Sequence, residues 1–321
     1  MPAAHSARHL APRARLPGVA RRVRLELRAE LASRWRDSEL ARRERAELER
    51  LDPVQRARLW RAVALVRRTR RRARIALADA FHVAAWHARS TLAPASESRF
   101  APGRADLPVV VPVPGIYERW DFLIPVLDVL NAHGHPVHVS PNLGRMTAPA
   151  RVLAQRLLRE LRQRGLRDVV LVTHSKGGLV GKLALLDPRD GRDAIAGVIA
   201  IATPFRGTRI VERFRRSARL MELARTSAGT VYLAERPDVD DRIVSIYATH
   251  DALVTEASRL DRGTNVLVRM RGHTRMLADP VVHVAVLRAV RGLRGIRRRE
   301  TGVAPKPAGA PAPAAGGPVP V

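Results

Sequence analysis

The sequence predicts an α/β fold, a mostly parallel sheet with helices on both faces, preceded by an N-terminal helical segment. Three observations point to it. Beyond residue 108, short β-branched runs alternate with amphipathic stretches, the pattern of a parallel sheet covered by crossover helices. Ahead of that point, apolar residues recur at helical spacing. One β-branched run also stops abruptly at a serine that is followed almost at once by two glycines, where a strand feeds directly into a helix.

Residues 1–18, rich in Ala, Pro and Arg, lack a sustained period and are expected to be a disordered lead. Residues 19–90 are expected to form a basic helical segment. In it Val19, Val23, Leu27, Leu31 and Trp35 lie along one helical stripe. A second helix has a clear start, because Asp52 can cap, Pro53 suits the first helical position and Gln55 completes a capping box. It runs on through Leu59, Trp60, Val63 and Val66, across the basic run 67–74, into the apolar stretch 75–86. Pro94, Pro102 and Gly103 mark residues 91–107 as a linker.

The main α/β domain is expected over residues 108–296. Strands are predicted at 109–113, 136–139, 169–172, 196–202, 243–248 and 266–270, and helices near 120–132, 148–164, 177–186 and 280–291. The tail 301–321, nearly all Pro, Ala, Gly and Val, is compositionally disordered.

Composition excludes several classes of function. The chain has no cysteine, which removes disulfides, thiolate metal sites and cysteine-protease chemistry. A formal charge of +28 would ordinarily suggest nucleic acid or anionic lipid as partner. The bases are nearly all Arg, however, with Lys only at 176, 182 and 306, and Ala and Val are abundant, as GC-rich coding alone produces. Nucleic acid is therefore disfavoured, and an anionic membrane surface met by the N-terminal helices stays open. The stretch 75–86 is too short to span a bilayer and contains Asp79 and His82. No apolar run follows Arg13 and Arg15 as a secretory leader requires, so a cytoplasmic or peripherally membrane-bound protein is the default expectation.

The chemistry is carried by the strand–serine–helix junction at residues 169–180. A tight turn there pushes the Ser175 hydroxyl out above the sheet edge, and small residues around it let strand and helix pass closely. The junction departs from Gly-x-Ser-x-Gly, since Thr173 stands in the first Gly position. The competing reading is that Ser175 merely caps the helix.

Two later strands supply the partners such a nucleophile needs, in the chain order Ser, then Asp or Glu, then His. Asp251 follows the strand at 243–248, with Glu256 as its nearest rival, and His273 follows the strand at 266–270. Each ends a strand, so in a parallel sheet all three converge on one edge. His250 and His283 are less well placed, and His174 should point away from Ser175 and pack structurally. The oxyanion donors would be the backbone amides of Lys176 and, after Pro114-Gly115, of Ile116.

On these residues the stretch 106–291 resembles bacterial α/β-hydrolase lipases and esterases, especially small lipases that begin at the third strand of the full fold. The matches are Pro114-Gly115-Ile116, Thr173-His174-Ser175-Lys176-Gly177-Gly178, Thr203-Pro204-Phe205-Arg206-Gly207-Thr208, Asp251 with Val254, and His273 with Leu277, Asp279 and Pro280. Pro114 departs from the His common before that Gly. In that family the Thr-Pro segment leads into a variable cap, which makes residues 209–240 look like a lid. The resemblance implies attack by Ser175 on an ester carbonyl, with His273 as base and Asp251 as its orienting acid, and with no metal or organic cofactor. Acyl transfer to another acceptor and thioester cleavage use the same residues. A further alternative is a catalytically weak scaffold whose basic helices bind membrane or nucleic acid.

Overall fold

The computed structural model describes Arg50, residues 52–254 and residues 256–301. The stripe at Val19 to Trp35, the lead 1–18 and the tail beyond Thr301 lie outside the described residues. The chain divides into two compact units, residues 1–75 and 76–321. The described part of the first is Arg50, Asp52 and the opening of helix α1 (Pro53–Leu92), whose first turn accepts the predicted cap. Asp52 Oδ1 receives the amides of Val54 and Gln55, both at 2.8 Å.

The second unit is built on five strands, β1 (Val110–Val113), β2 (Val169–His174), β3 (Ile195–Ile201), β4 (Ile243–His250) and β5 (Thr264–Arg271). They pair in chain order and every pair is parallel. Parallel strands need crossovers, and these contain α2 (Ile124–Ala132), α3 (Ala150–Gln163), α4 (Lys176–Leu185), the short α5 (Gly191–Ala194), α6 (Ala218–Met221) and α7 (Ala228–Ala234). Helix α8 (Pro280–Thr301) follows β5.

Every residue of β1, β2 and β3 is buried, and alternation sorts their side chains between two cores. Val111, Val113, Leu171, Val198 and Ala200 pack with α3 and α4 on one face. On the other, Val110, Val170, Val172, Ile199 and Ile201 pack with α2 and α8. This is the two-faced α/β arrangement that the alternating pattern predicts.

One predicted strand is reduced to a single bridge. Residues 136–139 meet β1 only at Val137 and Val110, through Val110 N–H to Pro136 O at 2.8 Å and His138 N–H to Val110 O at 2.9 Å. Pro136 has no amide to extend the ladder, and beyond it the Val139 amide turns to Glu97 Oε1 at 3.0 Å.

Candidate active site

The junction between β2 and α4 has an unusual backbone. Ser175 adopts φ +50° and ψ −118°, outside the regions that L-residues ordinarily occupy, and its side chain makes no cap bond. Such strain persists only where the surroundings impose it. Here they do, since the Ser175 amide is held by Ile201 O at 2.9 Å and the Ser175 carbonyl by the Gly178 amide at 3.1 Å.

The two glycines that follow are sterically required. A Cβ on Gly177 would lie 2.0 Å from the Val113 carbonyl oxygen, and one on Gly178 would lie 2.0 Å from Thr203 Oγ1. Thr173 is accommodated in place of a glycine because its hydroxyl reaches Ile199 O on β3 at 3.2 Å, so no buried polar atom is stranded.

Asp251 and His273 are brought together. Asp251 follows β4 and His273 follows β5, at the same edge of the parallel sheet as Ser175. His273 Nδ1 and Asp251 Oδ2 are 2.7 Å apart, while Asp251 Oδ1 takes the amides of Leu253 and Val254 at 2.8 and 3.0 Å. One carboxylate thus shapes its own turn and fixes the imidazole. The His273 ring lies 4.8 Å from that of His174, the residue before the serine. Ser175 Oγ has no hydrogen-bond partner among the described residues.

Burial alone would lower the pKa of His273. The charge and hydrogen bond of Asp251, joined by the charges of Glu118 and Asp79, more than offset it and raise the pKa above the ordinary histidine value. Glu118 is moved the other way. Burial favours its neutral form, but His174, the Gly115 amide and His273 together hold its pKa below the usual carboxylate value.

The loop carrying Ile116 abuts the junction, because the β1–β2 pairing ends at Val113 and Thr173 and Gly177 sits against the Val113 and Pro114 carbonyls. Lys176 opens α4, so its amide has no helical partner one turn earlier. Its side chain is buried and bonded to Ala148 O at 2.7 Å and Glu222 at 2.6 Å. Of the less well placed histidines, His283 of α8 bonds Leu277 O and His250 is exposed at the end of β4.

No family model matches the sequence, and no curated protein matches it. Among solved structures, lipase B of Aspergillus fumigatus matches at 15% identity with a TM-score of 0.50, over 60% of this chain and 54% of that one. The chain has the α/β-hydrolase fold. A lipase of Bacillus licheniformis in mature form matches at 14% identity and a TM-score of 0.49, over 60% of this chain and 95% of that one. A carboxylesterase of Bacillus subtilis matches at 15% and 0.44, over 60% and 86%.

Two residues that sequence reasoning missed join the site. Glu118 lies beside the loop of Ile116. Asp79, on α1 and ahead of the predicted linker 91–107, accepts the backbone amides of His273, Thr274 and Arg275 at 2.7, 3.2 and 3.2 Å. The signal for Asp79 was present, as a single carboxylate inside the apolar stretch 75–86 demands a buried partner. Asp79→Ala would strand three amides beneath His273, each costing about 1–3 kcal/mol. It is expected to lower the melting temperature by several degrees or more. An unchanged melting temperature would mean that the His273 loop holds its own shape.

Proposed function

We propose that the chain is a serine hydrolase of carboxylic esters that works through an acyl-enzyme on Ser175. The observation that carries the reading is the backbone of Ser175, strained at the head of a helix that its side chain does not cap. A capping serine has an extended backbone and a bond to the helix amides, whereas this one has neither. The His273–Asp251 pair on the same sheet edge supplies the rest of the chemistry.

His273 Nε2 takes the Ser175 proton as Oγ attacks the ester carbonyl, and returns it to the departing alcohol. Asp251 keeps the other ring proton on Nδ1 and stabilises the imidazolium. The amides of Ile116 and Lys176 receive the developing oxyanion, helped by the dipole of α4. Water then attacks the acyl-enzyme with His273 as base. A thioester, or an acceptor alcohol in place of water, would pass through the same steps.

Residues 209–240 are proposed as a cap over the site. Between them, α3 and α4 lies a cleft of about 380 Å³ lined by Leu179, Leu183, Tyr232 and Leu233, with Arg151 and Glu222 also on its wall. Among the described residues no helix is long and apolar enough to cross a membrane. The exposed Arg68, Arg70, Arg71 and Arg74 of α1 suit peripheral recruitment to anionic lipid.

A fluorophosphonate tests the assignment. One adduct is expected, mapped by mass spectrometry to the peptide containing Ser175, because only an activated serine attacks such a reagent at a useful rate. Absence of an adduct, or an adduct on another serine, overturns it.

A further inference from the structure

Behind Ser175, His273 and Asp251 stands a second carboxylate–imidazole pair that the mechanism above does not use. Glu118 and His174 are both buried. A single oxygen, Glu118 Oε2, accepts the Gly115 amide at 2.6 Å and His174 Nδ1 at 2.8 Å. The ring of His174 in turn lies 4.8 Å from that of His273, with the two planes inclined at 48°.

That placement acts in two ways. The β1–β2 ladder ends at Val113 and Thr173, so strand pairing does not extend to the loop of Ile116 and the serine turn. Glu118 continues the link by side chain, joining Gly115 of the loop to His174 at the end of β2. The other effect is electrostatic. His273 is faced by Asp251 after β4, by Glu118 after β1, by Asp79 of α1 and by the His174 ring of β2. A buried carboxylate in that set favours the imidazolium that forms as Ser175 reacts.

We propose that Glu118 is a positioning residue for the reaction, acting through the Gly115 amide and His174 to hold the loop of Ile116 against the nucleophile turn and placing a second negative charge behind His273. The proposal rests on the reading of Ser175 and His273 as nucleophile and base. Its contribution belongs to the transition state, so it acts on kcat rather than KM.

The test compares Glu118→Gln and Glu118→Asp in the full chain. The imidazole of His273 is titrated by NMR, which needs no turnover, beside steady-state hydrolysis of a nitrophenyl ester. Glu118→Gln keeps the shape and removes the charge. It is expected to lower the His273 pKa by about half a unit or more and kcat by about tenfold, with KM changed less than about twofold. Glu118→Asp keeps the charge but is one methylene too short to reach Gly115 and His174 together. It should retain the His273 titration while kcat falls.

A purely structural Glu118 would lower the melting temperature of both variants without moving the titration, and that result overturns the electrostatic role. Unchanged kcat in Glu118→Asp overturns the mechanical one, and does so even if Glu118→Gln does not fold. Labelled Ser175 with an unmoved titration sinks the electrostatic role of Glu118 and leaves the triad standing. A shifted titration with unlabelled Ser175 overturns the reading of Ser175 and with it the catalytic role of Glu118, and leaves only the charge coupling between Glu118 and His273.

Discussion

With Ser175 replaced by alanine, hydrolysis of a nitrophenyl ester is expected to fall by about a millionfold in kcat, to the residue of catalysis that oxyanion donors and binding supply alone. The same change should leave the fold almost untouched. Ser175 Oγ makes no cap bond, so its loss strands nothing. Alanine bears the positive φ at a cost similar to that of serine, since both carry a Cβ. The amide and carbonyl of the residue keep their bonds to Ile201 and Gly178. Kinetics and thermal melting therefore separate the two readings of this serine. Lost turnover with an unchanged melting temperature identifies a nucleophile, and retained turnover with a lower one identifies a helix cap.

Asp251→Asn is expected to cost about a thousandfold to ten-thousandfold in kcat. An asparagine can present its oxygen to the Leu253 and Val254 amides, so the turn survives. Its NH2 group then faces His273 Nδ1, which must become an acceptor. That places the ring proton on Nε2, where it blocks abstraction from Ser175. Kinetics at several pH values check the prediction, because a tautomer fault is not rescued by raising pH. Greater damage from Glu256→Gln would reassign the acid.

The proposed site was legible in the sequence where it is written locally. Serine and the two glycines announce a strand-to-helix turn within a dozen residues, and Asp251 and His273 each sit just past a β-branched run. Strands read well for the same reason, since burial on both faces leaves uninterrupted apolar runs such as Ile195–Ile201. The strand predicted at 136–139 failed because an apolar pair of residues says nothing about which amides remain available beside Pro136. Asp79 and Glu118 were missed on the same ground. The bonds of Asp79 to the His273 loop span 194 to 196 positions, and that of Glu118 to His174 spans 56. Such pairings depend on which loops the sheet order brings side by side. His174 was expected to pack structurally, which its burial fits, but its bond to Glu118 is a feature of the folded topology alone.

The chain has only three lysines, and two of them are withdrawn from solvent. Lys176 is clasped by Glu222, and Lys182 is paired with Asp240 at 2.6 Å. Both carboxylates belong to residues 209–240. An acylating reagent such as an N-hydroxysuccinimide ester can therefore reach either amine only after its ion pair has parted, so the time course of modification at Lys176 and Lys182 becomes a clock for the parting of that segment from the helix beneath it. A chain with more lysines would bury that signal under surface labelling, whereas here a peptide map can follow each amine by name.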